Sequence, residues 1–91
     1  MAEEDLYEWD EGKYDANRLK HGIRFELIYE FDWSTSVERP DRRYDYGEDR
    51  FIAYGRIEGR GYAVVYVRRG DRLRIISIRP AHEKEMRRYG I

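Results

Sequence analysis

Three strand-like runs joined by two tight turns fill the second half of the chain and leave it few folds to adopt. "RFIAYGRI" (50–57) leads through "EGRG" into "YAVVYVR" (62–68), which leads through "RGD" into "RLRIISIR" (72–79), and Pro80 ends the last run. Short Gly-containing turns between alternating apolar runs dictate an antiparallel meander. At 91 residues the chain has room for one domain, spanning 1–91, with one sheet and two or three helices. Charged residues make up 41% of it, so the core must be small and built from aromatic and β-branched side chains, a need that nine Tyr and two Trp meet.

The first half supplies the cover. "DEGKYDANRLKHG" reads as a helix capped by Asp10, with basic residues in its last turn and Gly22 as its stop. Tyr14, Asn17 or Arg18, and His21 fall on one stripe. A second, shorter helix is expected from Arg24 to Phe31, with Phe25, Ile28 and Tyr29 on its apolar side. "TSVERP" reads as an edge strand ended by Pro40, "DRRYDYGED" as a loop, "DLYEW" as a short strand, and "PAHEKEMRRY" as a helix with Pro at or near its first position. The expected fold class is α+β, an antiparallel sheet with two N-terminal helices and a C-terminal helix in the order β-α-α-β-β-β-β-α.

Strand parity places the side chains. Leu73, Ile75, Ser77 and Arg79 point one way and Arg72, Arg74, Ile76 and Ile78 the other, so Arg74 and Arg79 are expected on opposite faces. In the central strand Ala63, Val65 and Val67 oppose Tyr62, Val64, Tyr66 and Arg68. The Tyr/Arg face is expected to be the exposed one. It suits single-stranded RNA, by stacking on bases and gripping phosphates, and equally suits cross-strand Tyr pairs under Arg stems on a half-solvated sheet.

The net charge of −1 hides an asymmetry: residues 1–49 carry −8 and residues 50–91 carry +7. Of 18 basic residues 15 are Arg, the side chain that binds phosphate bidentately. With no Cys, neither a disulfide nor a thiolate metal site can form, and two His without a carboxylate cluster make a poor zinc site. No metal and no cofactor are expected. The acidic N-terminus has no apolar run, and no stretch approaches a membrane span, so the reducing cytoplasm is the expected address.

"EWDEGKYDANRLKHGIRFE", "YDYGEDRFIAYGR" and "RIISIRPAHEKEMRRY" together resemble the BrnT toxins, whose pattern runs WDxxKxxxNxxKHGxxF, a GExR segment, then RIISxRxA with a late Glu and Tyr. The match runs in order from Trp9 to Tyr89. Ile78 stands where a small residue is commoner, which adds volume beside the site, and Pro80 and His82 replace what is usually Arg and a hydroxyl residue. The resemblance implies a RelE-like endoribonuclease, growth inhibition by RNA cleavage, and neutralisation by a BrnA-type antitoxin with a ribbon-helix-helix module. It also implies a 2:2 heterotetramer that meets operator DNA only through the antitoxin.

Metal-free RNA cleavage needs a base for the 2′-hydroxyl, cations for the phosphoryl oxygens and an acid for the leaving oxygen. Arg79 is the first candidate for charge stabilisation, with His21 as general acid or base and Glu48 with Arg50 as an acid/base and phosphate pair. RNA contacts are expected from Lys20, Tyr66, Arg68 and Arg74. Each has a plain structural alternative: a dipole-capping His, Arg salt-bridged to Glu48 or Glu85, or Tyr in a core. Ser77 lacks a His/Asp arrangement, which disfavours a serine hydrolase. The rival class is a non-catalytic module that uses the same Arg side chains to grip an acidic partner or operator DNA as a co-repressor, and a degenerate toxin that only sequesters its partner is a third.

Overall fold

The computed structural model describes residues 6–43, 45 and 47–91. The elements run β1 (Tyr7–Trp9), α1 (Glu11–His21), two 3-10 turns (Phe25–Glu30 and Trp33–Thr35), β2 (Val37–Pro40), β3 (Arg50–Ile57), β4 (Arg60–Arg69), β5 (Arg72–Pro80) and α2 (Glu83–Arg88). Strands β2 to β5 form the expected antiparallel meander. The sheet is mixed rather than wholly antiparallel, because β1 joins its far edge parallel to β5, giving the order β1-β5-β4-β3-β2. The expected second helix is a 3-10 segment, and Pro80 closes β5 instead of opening α2, whose cap is His82.

Helix α1 begins and ends where its sequence says. The Asp10 carboxylate accepts from the Lys13 N–H at 3.0 Å, and Gly22, at φ 70°, closes it with its N–H on the Arg18 carbonyl. Its attachment to the sheet depends on Asn17. Beyond Trp9 the edge of β5 has no strand beside it among the described residues, and the Asn17 amide takes that place: Nδ2 donates to the Ile78 carbonyl at 2.9 Å and Oδ1 accepts from the Ile78 N–H at 3.1 Å. A side chain that pairs like a backbone satisfies a buried strand edge and fixes the helix to it.

One sheet face is covered and one is largely open. On the covered face Phe25, Ile28 and Phe31, from the segment after α1, pack with Tyr14 and Ile23 on Ala53, Ile57, Val64, Tyr66, Ile75 and Ile78. Tyr66 is fully buried between Trp33, edge-on at 5.5 Å, and Phe51, stacked at 5.9 Å. The Tyr/Arg face expected to be exposed is therefore the covered one, because the 3-10 segments bring aromatics that need it. On the other face a smaller cluster of Ile52, Tyr54, Ala63 and Val65 is capped at one end by Ala81 and Met86. Helix α2 lies close there because Gly61 has no side chain; a Cβ on it would stand 2.6 Å from Met86.

A bulge alters the parity of β5. Val65 pairs with Ser77 but Tyr66 pairs with Ile75, leaving Ile76 as the extra residue. Ile75 and Ile78 are thus both fully buried on the covered face, and Ile78 adds its volume to the core, away from the groove described below. Arg74 opposite Val67 and Arg79 opposite Ala63 fall on the same, open face, contrary to the simple alternation.

Candidate active-site groove

Where α1 overhangs β5 the open face forms a groove of about 310 Å³. Its floor is Ile52, Val65, Ile76 and Ser77; Lys13, Ala16, Asn17, Lys20 and His21 form the helical wall, and Arg79 and Arg43 close the rest. Four of these side chains carry a permanent positive charge, and no carboxylate is among the described lining residues. The helical spacing explains the wall. Lys13, Asn17 and Lys20 recur at i, i+4 and i+7, so the amide that anchors the helix also sets both ammonium groups over the sheet.

His21 ends that wall. Burial lowers its imidazole pKa from the usual 6.5, and the positive charges of Lys20 and Arg79 lower it further, so it is chiefly neutral at pH 7. A neutral imidazole beside two fixed cations can accept a proton from a hydroxyl. Arg79 is half-buried and held by α2: Nη1 and Nη2 donate to the two Glu85 oxygens at 3.1 and 2.7 Å, and Nη1 also donates to the Pro80 carbonyl at 3.2 Å. Beside it Tyr54 lies under Tyr89 with ring centroids 4.2 Å apart. Burial first, then the Tyr89 hydroxyl and the Glu85 charge, push the Tyr54 phenol up to about 12, so it keeps its proton.

The structure brings His21, Lys20 and Arg79 together and leaves the other candidates elsewhere. Arg50 and Arg74 flank Val67, four residues along β4 from Ala63 and Arg79, or about 13 Å at the usual strand rise. Arg50 lies 3.5 Å from Glu48, and both line a separate depression with Asp41, Asp45 and Asp49. That depression is rich in carboxylates, so the pair does not share the groove's cationic character. Arg74 donates to Glu8 of β1 at 2.9 Å. Arg68 donates to both oxygens of Glu38 and lies over Phe51 and Tyr66 on the covered face. Tyr66, buried on both sides, offers no ring face to a base.

Two lining cations escaped the sequence reading. Lys13 was legible from its spacing to Lys20, whereas Arg43 comes from a loop, held by Asp41 at 2.8 Å, and nothing local announces it.

Fold and groove together define a small α+β domain with a cationic site on an open sheet face, the charge that a phosphodiester substrate demands. The profile of the family described as "ribonuclease toxin, BrnT, of type II toxin-antitoxin system" matches residues 9–85, and the chain belongs to this family. The match takes in α1, strands β2 to β5 and Glu85, hence the groove with the group that holds Arg79. Family membership makes it a ribonuclease toxin by kind and implies an antitoxin as its partner. No curated protein matches the chain.

Proposed function

We propose that the chain is an endoribonuclease that cuts RNA in this groove by attack of a 2′-hydroxyl on the adjacent phosphate, without a metal ion. What carries the reading is the convergence of His21, Lys20, Lys13 and Arg79 on one groove free of described carboxylates, in a chain of a ribonuclease-toxin family.

Neutral His21 takes the 2′-hydroxyl proton. The oxygen forms its bond to phosphorus while the bond to the 5′ oxygen breaks, leaving a 2′,3′-cyclic phosphate and a 5′-hydroxyl. Arg79 and Lys20 neutralise the phosphoryl oxygens as charge builds, and the leaving oxygen takes its proton from a lysine ammonium or from water. The apolar floor of Ile52, Val65 and Ile76 receives a base or sugar. Glu48 and Arg50 stand outside this set.

In this reading the activity stops translation and growth in the cytoplasm, and a BrnA-like antitoxin with a ribbon-helix-helix module neutralises it in a 2:2 complex that meets operator DNA through the antitoxin alone. The test is incubation of the purified, partner-free chain with total RNA in EDTA, beside Arg79→Ala. Cleavage that falls by about 100-fold or more in the variant is expected, the scale of losing one charge-stabilising donor. Intact RNA with a folded wild type would reject it. One observation favours the rival, a non-catalytic co-repressor: Arg79 already has a carboxylate partner in Glu85 and can serve structure alone.

A further inference from the structure

Arginine offers five N–H donors in a rigid plane, and they divide among edges. The end edge joins Nη1 and Nη2; one side edge joins Nε and Nη2; the remaining Nη1 hydrogen faces the side chain's own stem. In Arg79 the end edge is taken by the two Glu85 oxygens and the stem-side hydrogen by the Pro80 carbonyl. Among the described residues three of five N–H groups are thus committed to protein acceptors, and the two left over, on Nε and Nη2, are the pair that share one edge. Two parallel donors on one edge match two oxygens of a phosphate. Arg79 lines the groove and Glu85 does not, so the uncommitted edge is the one left to the groove.

We propose that Glu85 is a positioning residue: its carboxylate holds the end edge of Arg79 so that the Nε/Nη2 edge is presented to the non-bridging oxygens of the RNA phosphodiester. The inference rests on the cleavage reading above and deepens it. A guanidinium on a flexible stem loses rotamer freedom when it grips a substrate, and an ion pair made beforehand removes that cost from the reaction. The hold on Glu85 is itself built into the fold. It stands on a short helix whose Met86 is seated over Gly61 and fully buried, and just ahead of that helix the Ala81 N–H donates to the Gly61 carbonyl at 2.9 Å. Helix α2 is thereby fixed to β4, and its carboxylate meets the Arg from β5 at a set place. The same carboxylate is kept ionised, its pKa drawn below the usual range by the hydrogen bonds from Arg79.

A structural salt bridge and a positioning pair differ in how their losses combine. The experiment is a double-mutant cycle on wild type, Glu85→Ala, Arg79→Ala and the double variant, with Glu85→Gln as the conservative replacement. Each protein is compared at matched folded fraction, judged by circular dichroism and thermal melting. Cleavage of a single-stranded RNA oligonucleotide is followed, together with binding of its uncleavable 2′-deoxy counterpart. Glu85→Ala is expected to lower kcat by about 10- to 100-fold with KM changed by less than about threefold, the pattern of a misplaced charge-stabilising group. Glu85→Gln, which keeps one acceptor, falls between it and wild type. The double variant is no worse than Arg79→Ala alone, because Glu85 acts only through Arg79. Full activity in Glu85→Ala, or losses that multiply in the double variant, would overturn the inference. If wild type leaves RNA intact, the cleavage reading fails and the same cycle is read on affinity for the 2′-deoxy strand. Weaker binding in Glu85→Ala that disappears in the Arg79→Ala background then supports positioning, and unchanged binding overturns it.

Discussion

His21 and Tyr66 show how one residue's surroundings decide its role. Burial and two neighbouring cations hold the His21 imidazole below 6.5, so its protonated form predominates only on the acid side of that value. As the proposed general base it works when neutral. The kcat/KM profile is therefore expected to be flat near pH 7 and to fall as pH drops below 6.5, and His21→Gln is expected to abolish that acid limb with the activity. An acid limb that survives in His21→Gln would assign it to another group. Tyr66 is the opposite case. Its ring is fully buried and its hydroxyl has no hydrogen-bond partner among the described residues. A buried hydroxyl without a partner costs about 1–3 kcal/mol relative to one that has it, so Tyr66→Phe is expected to leave stability unchanged or raise it by about 1 kcal/mol in urea denaturation. A loss above that size would reveal a bond to the hydroxyl.

Among the elements, Asn17 ties α1 to the sheet and so sets the groove wall. Asn17→Ala leaves the Ile78 N–H and C=O buried without partners, which is expected to cost about 3 kcal/mol and to shift the denaturation midpoint accordingly. RNA cleavage should then fall further than the folded fraction does, because Lys13, Lys20 and His21 ride on the same helix. Most elements were legible because their signals are local. Asp10 and Gly22 mark the ends of α1, and the two Gly turns mark the meander. Three features were not. The segment after Gly22 carries helix-like spacing, yet its apolar residues fold as 3-10 turns against the sheet. The parallel docking of β1 depends on a partner 66 residues away, visible in the Glu8–Arg74 bond. The bulge at Ile76 reverses the alternation read before it, which is why Arg74 and Arg79 were placed on opposite faces. His21, Lys20 and Arg79 were legible as chemistry-bearing residues through the family pattern, whereas their convergence required the Asn17 bridge.

Across the whole molecule the charge asymmetry resolves into pairs between the halves. Glu8 meets Arg72 and Arg74, Glu38 meets Arg68, and Glu48 meets Arg50 and Arg69. Most of these partners are partly exposed, and such pairs contribute little stability each. Their larger effect is to leave the groove as a local concentration of positive charge in a chain of net −1. If Arg79, Lys20 and Lys13 make the phosphate contacts, log affinity for a single strand is expected to fall with log salt at a slope of about −2, at roughly 0.7 per contact. A slope of about −3.5 would mean that RNA also runs over the Arg50 and Arg74 end of the sheet.

The long bridge from Asn17 to Ile78, 61 residues apart, also orders events during synthesis. The helical wall is made early, but its anchor and Arg79 belong to the last strand of the meander. A nascent chain ending before residue 78 holds Lys13, Lys20 and His21 but has neither Arg79 nor a fixed place for α1. The groove can therefore assemble only once β5 has left the ribosome, well after its helical wall has been made.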